Sequence, residues 1–472
     1  MPDKTVLYLV LFFSSIFVLP AQNYDAKNLN LKTTNYVMHT TVDYENEKLI
    51  SSCELTLTNP SKETISTIPL LLYRLLKVNS VTDENGNRLP FTQHVVSFDD
   101  WKVYQVNFIE IKLDKPIEKD SYKKITVNYS GHLLGYTETG MSYVKDHISP
   151  EFTIIRPDCN AYPKLGYPSF EMNGTALENF NYTVHVTVPD SLVVANGGNL
   201  IEKTLKDGLA TYSYENIKPA WRIDLAIANY EIIQDGDIKI FHFPQDATNA
   251  QQVLKASHQT IDLYSQWFGR LNNASEFSII EIPDNWGSQA DVTSIIQAAA
   301  AFKNSDHHYE LYHEISHLWN VKSNDDYSPR WNEGLAMFLQ YLTANLLEDK
   351  TILHEKTNSY ITRINSADKY KNVALIDYGK EGVAGYSYTT GMVLFHVLYE
   401  LIGQDSFNTI IQKYYTTYQD RGATTKEFIK TIENLSSIDL SSFIEDWFLS
   451  TNYTKVMAKH STIDKLSSYY KK

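Results

Sequence analysis

Cysteine is scarce in this sequence. Its 472 residues include two, Cys53 and Cys159. Neither sits in a C-x-x-C pair, which excludes a cysteine-built metal site. The two are far apart in the chain, and nothing in the pattern makes them meet; a disulfide and two unpaired core thiols both remain open. Basic blocks are missing as well. The formal net charge is −14, and without a positive stripe a nucleic-acid partner is not expected. Beyond the N-terminus no stretch approaches the about 18 apolar residues of a membrane-spanning helix. No internal repeat is visible. What remains is 43% apolar and 21% charged residues, a globular composition with length for two or three domains.

The one long apolar run lies at the start. Lys4 precedes it, it extends from Val6 to Leu19, and Pro20-Ala21-Gln22 follows. This order of a positive residue, a short apolar core and a small residue predicts a secretory signal peptide over 1–21, cleaved near Ala21. An uncleaved anchor is the alternative. The expected location is therefore secreted or periplasmic, with no transmembrane segment after cleavage.

Residues 22–235 read as a β domain. Ile125, Val127 and Tyr129 alternate with polar residues, as do Tyr182, Val184, Val186 and Val188, and then Ile223, Leu225 and Ile227. Asn85-Gly86 and Gly197-Gly198 supply turns. Period-two alternation implies an antiparallel sandwich or saddle with one buried face. Asp235-Gly236-Asp237 marks the expected boundary. From 236 to 455 the periodicity becomes helical: Gln251–Phe268 is predicted as an amphipathic helix ended by Gly269, and 331–347 as another with Leu335, Leu339, Leu342 and Leu346 as its core face. Residues 456–472 are expected to form a short terminal helix or tail.

Within this second domain stands His313-Glu314-Ile315-Ser316-His317. Residues four apart share one helical face, so both imidazoles can address one ion, with Glu314 beside them. Zinc accepts such nitrogen donors, and cobalt or nickel would fit the same set. Fifteen residues separate His317 from Glu333, enough to close one helix and open the next, so that Glu333 could be a third ligand. His307 and His308 point away from His313 by helical spacing and are not expected to join.

These residues resemble the gluzincin metallopeptidases, in particular the alanyl-aminopeptidase and leukotriene-hydrolase group. The resemblance rests on His313-Glu314-x-x-His317 followed by Asn332-Glu333-Gly334-Leu335-Ala336. The gap is about three residues shorter than is common in the group, and His317-Leu318-Trp319-Asn320-Val321-Lys322 is more similar to glycyl-aminopeptidases. The resemblance implies a thermolysin-like, mainly helical zinc peptidase domain with a small sheet behind the β domain, an α+β multidomain chain. It implies one Zn2+ held by His313, His317 and Glu333, with Glu314 as general base. Tyr388 in Tyr388-Thr389-Thr390-Gly391 takes the place of the family's oxyanion tyrosine, with Thr390 where the family has Lys; Tyr386 is the fallback.

The family's G-x-M-E-N strand is degraded here. Aligned on Gly287, Ala290 occupies the position of the Glu that grips a free α-amine, and Asp291 is one place off. Aligning Asp284-Asn285-Trp286-Gly287 with Glu-Asn-Trp-Gly is the other choice. Gly287 and Asp291 are accordingly the substrate-binding candidates, and a turn-capping role for Asp291 stays open. The expected function is a zinc peptidase acting on peptides, an aminopeptidase; an endopeptidase or other zinc hydrolase without free-amine specificity, or a non-catalytic binding module, are the alternatives. Oligomeric state is not readable from the sequence.

Overall fold

The computed structural model describes residues 29–169, 179–271, 276–303, 308–368 and 372–471. The signal segment expected over 1–21, together with His307, lies outside the described residues. No helix among them is long and apolar enough to cross a membrane.

The N-terminal part is β-rich. A seven-stranded sheet runs in the order Asn199–Lys206, Leu209–Glu215, Asn181–Pro189, Lys32–Asp43, Lys48–Thr58, Tyr122–Gly131, Leu76–Asp83. Its inner face is the alternation read from sequence: Val184, Val186, Val188, Ile125 and Val127 are all fully buried. They pack against a four-stranded sheet whose Ile68, Leu70, Ile109 and Ile111 face the same core. One pairing departs from the antiparallel expectation. Lys32–Asp43 and Asn181–Pro189 run parallel, with Asn35 opposite Asn181. A parallel pair needs a long crossover, and here most of the domain is that crossover. Both cysteines are free thiols buried in this part.

The second, mainly helical part begins with a five-stranded mixed sheet: Glu231–Asp235, Ile238–His242, Phe277–Ile282, Ser294–Ala298 and, at its edge, Gln289–Ala290. Asp235-Gly236-Asp237 is the tip of the hairpin joining its first two strands, so Glu231–Asp235 pairs within this sheet. Helix α1 (Ala247–Phe268) covers the sheet, burying Leu254, Tyr264 and Phe268 and stopping at Gly269, whose φ is +91°. There follow α2 (Tyr309–Ser316), α3 (Trp331–Leu347), α4 (Ile352–Ser366), α5 (Ser387–Ile402), α6 (Gln404–Tyr418) and α7 (Thr425–Leu435). Thr424 and Glu427 close the capping box at α7: Thr424 Oγ1 accepts from the Glu427 amide at 3.2 Å, and Glu427 Oε2 accepts from the Thr424 amide at 2.8 Å. Two further helices, Asn452–Lys459 and Ile463–Tyr470, bury Met457 and Leu466 against this core. On α3, Leu335, Leu339 and Leu342 are buried as expected, whereas Leu346 in the last turn is exposed.

Candidate metal centre

Helix α2 buries Leu311 and Ile315 and sets His313, two residues from each, on the opposite side, with Glu314 next to it on the flank. It then tightens into a 3-10 turn, His317–Trp319. Helix α2 and the 3-10 turn that continues it thus deliver both histidines to one place, and the start of α3 faces them. His313 Nε2 and His317 Nε2 lie 3.5 and 3.4 Å from Glu333 Oε2. One ligand atom from each of these three residues falls within 4.8 Å of the others. No other such group of three or more is found among the described residues.

What lets α3 come so close is a pair of glycines. A Cβ built on Gly334 would stand 2.4 Å from Gly391 Cα, and one on Gly391 would stand 2.7 Å from Gly334 Cα. The helices α3 and α5 therefore cross backbone to backbone at the glycines of the Asn332-Glu333-Gly334 and Tyr388-x-x-Gly391 motifs. That contact sets Glu333 and Tyr388 side by side. The Tyr388 ring lies parallel to the His313 ring, 6.1 Å between centroids and 4° between planes. Thr390, in the family's Lys position, is fully buried and hydrogen-bonds Tyr378.

The electrostatics fit a cation at the meeting point. Burial penalises the Glu333 charge, yet His317, His313 and Arg330 together hold its carboxyl well below the usual range. For His317, burial opposes the charge, but Glu333 and Glu314 outweigh it and push the imidazole up to about 9. Two imidazoles and one carboxylate converge on one point, the donor set that suits zinc, with the Arg330 guanidinium on the far oxygen of Glu333. Residues His313, His317 and Glu333 are thus able to hold the ion. His317 Nδ1 lies 2.6 Å from Asn320 Nδ2; for Nε2 to face an ion, Nδ1 must carry the proton and the Asn320 amide must turn its oxygen to accept it. Glu314 is nearly buried, and that burial raises its carboxyl above the ordinary value.

The substrate-binding candidates part company. Gly287 has φ +76°, and a Cβ there would meet the Tyr143 ring at 2.8 Å, so the chain reverses under an aromatic residue from the N-terminal part. Ala290 sits in the edge strand Gln289–Ala290, which rests against α2. Asp291 is buried; its carboxylate accepts from the Trp221 amide at 3.4 Å, and burial lifts it to about 7. Asp284 pairs with Lys303. His308 is 3.7 Å from Glu348 rather than among the three metal-facing residues.

Several neighbours of the site escape sequence reading. Arg330 Nη2 reaches both Glu333 Oε1 and the Tyr388 hydroxyl. Behind the edge strand, buried Arg222 donates to Asp158, Asp224 and Gln289 Oε1. Arg156 pairs with Asp146 and donates to the Trp286 carbonyl at 3.0 Å. The sequence signal for Arg330 is its place two residues before Asn332-Glu333; Arg156 and Asp158 stand in Arg156-Pro157-Asp158-Cys159, which resembles an Arg/Pro/Cys-containing loop of the gluzincin group, whereas no local pattern reports Arg222.

Residues 285–447 match the Peptidase family M1 domain. Aminopeptidase A of Gloydius brevicauda is 23% identical over 238 residues, covering 46% of this chain and 25% of that protein. Glutamyl aminopeptidase of Homo sapiens is 20% identical over 386 residues, covering 72% and 38%. The chain thus spans well under half the length of these curated relatives. An M1 zinc metallopeptidase from Deinococcus radiodurans, solved as a mutant bound to a Tyr-Ser-Ala substrate, superposes with a TM-score of 0.66 at 17% identity over 89% of this chain and 94% of that one. A two-domain M1 zinc metallopeptidase mutant bound to L-arginine gives 0.62 at 18%, covering 86% and 91%. The fold is that of the two-domain M1 zinc metallopeptidases, and with residues 285–447 matching the Peptidase family M1 domain the chain resembles the gluzincin aminopeptidases.

Proposed function

We propose that this chain is a zinc-dependent peptidase that removes residues from the free N-termini of peptides, exported by its N-terminal signal segment. One observation carries the reading: His313, His317 and Glu333 converge on a single point while Glu314, next in sequence, and Tyr388, stacked on His313, flank it. One zinc ion held there would supply a Lewis acid that acidifies water and polarises a carbonyl. The remaining work belongs to the side chains. Glu314, its carboxyl raised by burial, takes a proton from water and returns it to the leaving amine. The Tyr388 phenol stays protonated because burial and the Glu333 charge oppose its ionisation. It is therefore a donor for the oxygen that gains negative charge. The edge strand Gln289–Ala290 offers backbone groups along which an extended peptide can align. Domain limits of 22–235 and 236–455 divide the chain at the tip of a hairpin, and the pairing of Glu231–Asp235 with Ile238–His242 supports moving the first limit to just before Glu231.

A second reading is favoured by one specific feature. Ala290 and Gln289 put no carboxylate on the edge strand, and Asp291 turns into the protein. Without a fixed anion for the α-amine, blocked or internal peptides become acceptable substrates. The two readings separate in one experiment, in which one peptide, free or N-acetylated, is incubated with the zinc-loaded protein and its products are identified by mass spectrometry. Stepwise shortening of the free form alone is the expected result. Internal cleavage of both forms would select the endopeptidase. Glu314→Gln is expected to retain zinc and lose at least 100-fold in kcat, the scale of general base catalysis. A fully active Glu314→Gln variant would sink the mechanism, and no cleavage by wild type would leave a non-catalytic module or a zinc hydrolase whose substrate is not a peptide.

A further inference from the structure

Resting on the peptidase reading, one more residue can be assigned. Arg330 precedes α3 with φ +54°, the left-handed region that a non-glycine residue occupies at a cost. The conformation is tied down from two sides. Ser387 Oγ donates to the Arg330 carbonyl at 2.7 Å, and the Glu333 amide donates to the same oxygen at 3.0 Å. From this bend the guanidinium folds back over the site. Its Nη2 stands 2.9 Å from Glu333 Oε1 and 3.1 Å from the Tyr388 hydroxyl oxygen, and its Cζ lies 5.6 Å from the Tyr388 ring centroid. Glu333 divides its two oxygens: Oε2 faces the imidazoles and Oε1 faces Arg330. An arginine has donors only. At the Tyr388 contact the phenol oxygen must therefore accept, which leaves the phenol proton for a different acceptor.

We propose that Arg330 is a positioning residue, fixing Glu333 as a one-oxygen metal ligand and holding the Tyr388 hydroxyl oxygen so that its proton, which Glu333 accepts in the resting protein, can turn to the oxygen that becomes negative during hydrolysis. A planar fork with several N–H groups suits two acceptors set side by side; a lysine offers a point charge in its place. Removing a partner of this kind behind a metal ligand costs roughly 10–100-fold in metal affinity or activity.

The test uses the full chain as wild type, Arg330→Lys, Arg330→Met, Tyr388→Phe and the Arg330→Met/Tyr388→Phe double variant. Zinc retention against a competing chelator is measured on the resting protein, and kcat and KM with a peptide substrate. Arg330→Met is expected to weaken zinc retention by roughly 10–100-fold and to lower kcat with KM little changed, with part of both restored in Arg330→Lys. In the Tyr388→Phe background the same change should lower kcat by a clearly smaller factor while its effect on zinc persists. Unchanged zinc retention, or kcat losses that multiply fully in the double variant, would overturn the assignment. So would a rise in KM alone, which would place the guanidinium on a substrate carboxylate. If Arg330→Met does not fold, Arg330→Lys carries the zinc and kcat arms. Should wild type cleave no peptide, the peptidase reading falls while the zinc arm still decides the Glu333 half of the assignment.

Discussion

Asp291 shows what burial does to one carboxyl group. It is enclosed behind the edge strand; burial raises it to about 7, Asp224 adds to the effect, and Arg222 and the Val292 and Trp221 amides work against it. An unfolded aspartate titrates near 4. Between those values the folded chain keeps a proton that the unfolded chain has released, so stability falls as pH rises through about 4 to 7 and the loss is complete above it. Asparagine would keep an acceptor for the Trp221 amide and never ionise. Asp291→Asn should therefore gain on wild type in urea unfolding as pH goes from 5 to 8, by on the order of 2 kcal/mol. A difference that stays constant with pH would show that Asp291 carries no such cost. The same residue marks the limit of a sequence reading. A carboxylate one place from a family glutamate is an attractive substrate anchor on paper. Its direction is set by Trp221, 70 positions away, which no local pattern reports.

At the scale of elements, the motif glycines matter as much as the motif ligands. In an ordinary helix interior, replacing glycine by alanine stabilises by about 1 kcal/mol. Gly334→Ala should do the reverse. Its methyl would meet Gly391 backbone at 2.4 Å, and backbone cannot rotate aside as a flexible side chain can. Helices α3 and α5 would have to separate, at about 1–3 kcal/mol for overpacking, carrying Glu333 away from His313 and His317. The expected outcome is a lower melting temperature together with reduced zinc content. Gly385→Ala, where no atom lies within 4 Å, is the matched control and should change neither. Equal zinc content in Gly334→Ala and wild type would refute the crossing as the device that places Glu333. The elements at the site were legible in the sequence because chemistry fixes their spacing: histidines four positions apart, a capping box at Thr424, a glycine after α1. The parallel pairing of Lys32–Asp43 with Asn181–Pro189 was not, since nothing local distinguishes a strand that pairs in parallel from one that pairs antiparallel. Leu346 failed for a related reason: its spacing continues the apolar stripe, but α3 has run past its neighbours by its last turn.

Across the whole molecule, the metal-facing residues and the peptide-facing strand depend on different parts of the chain. His313, His317 and Glu333 all come from helices within one helical core. The strand Gln289–Ala290 pairs with Ser294–Ala298, and it and its flanks are also braced by the N-terminal part: Arg222 Nη1 donates to Gln289 Oε1 at 2.5 Å, the Trp221 amide reaches Asp291, Thr293 Oγ1 donates to the Gly197 carbonyl at 3.0 Å, and Tyr143 covers Gly287. Arg222 also neutralises Asp158 and Asp224, so Arg222→Met leaves buried carboxylates without their counter-ion, a loss of about 3–5 kcal/mol by the usual cost of breaking a buried pair. Two consequences then diverge. Zinc retention, a property of the helical core, should stay close to wild type at temperatures where the variant is folded. Turnover should fall, because the strand that aligns the peptide beside α2 has lost its brace and the scissile bond is no longer presented in one orientation. Zinc content by mass spectrometry under native conditions, melting temperature and kcat/KM on the same preparation distinguish the possibilities. Zinc lost in proportion to turnover would mean that the N-terminal domain shapes the metal centre itself. Turnover unchanged at a lowered melting temperature would mean that the arginine network serves stability alone, and that the edge strand keeps its place through the main-chain pairing of Gln289 with Ile296 and Ala290 with Ile295.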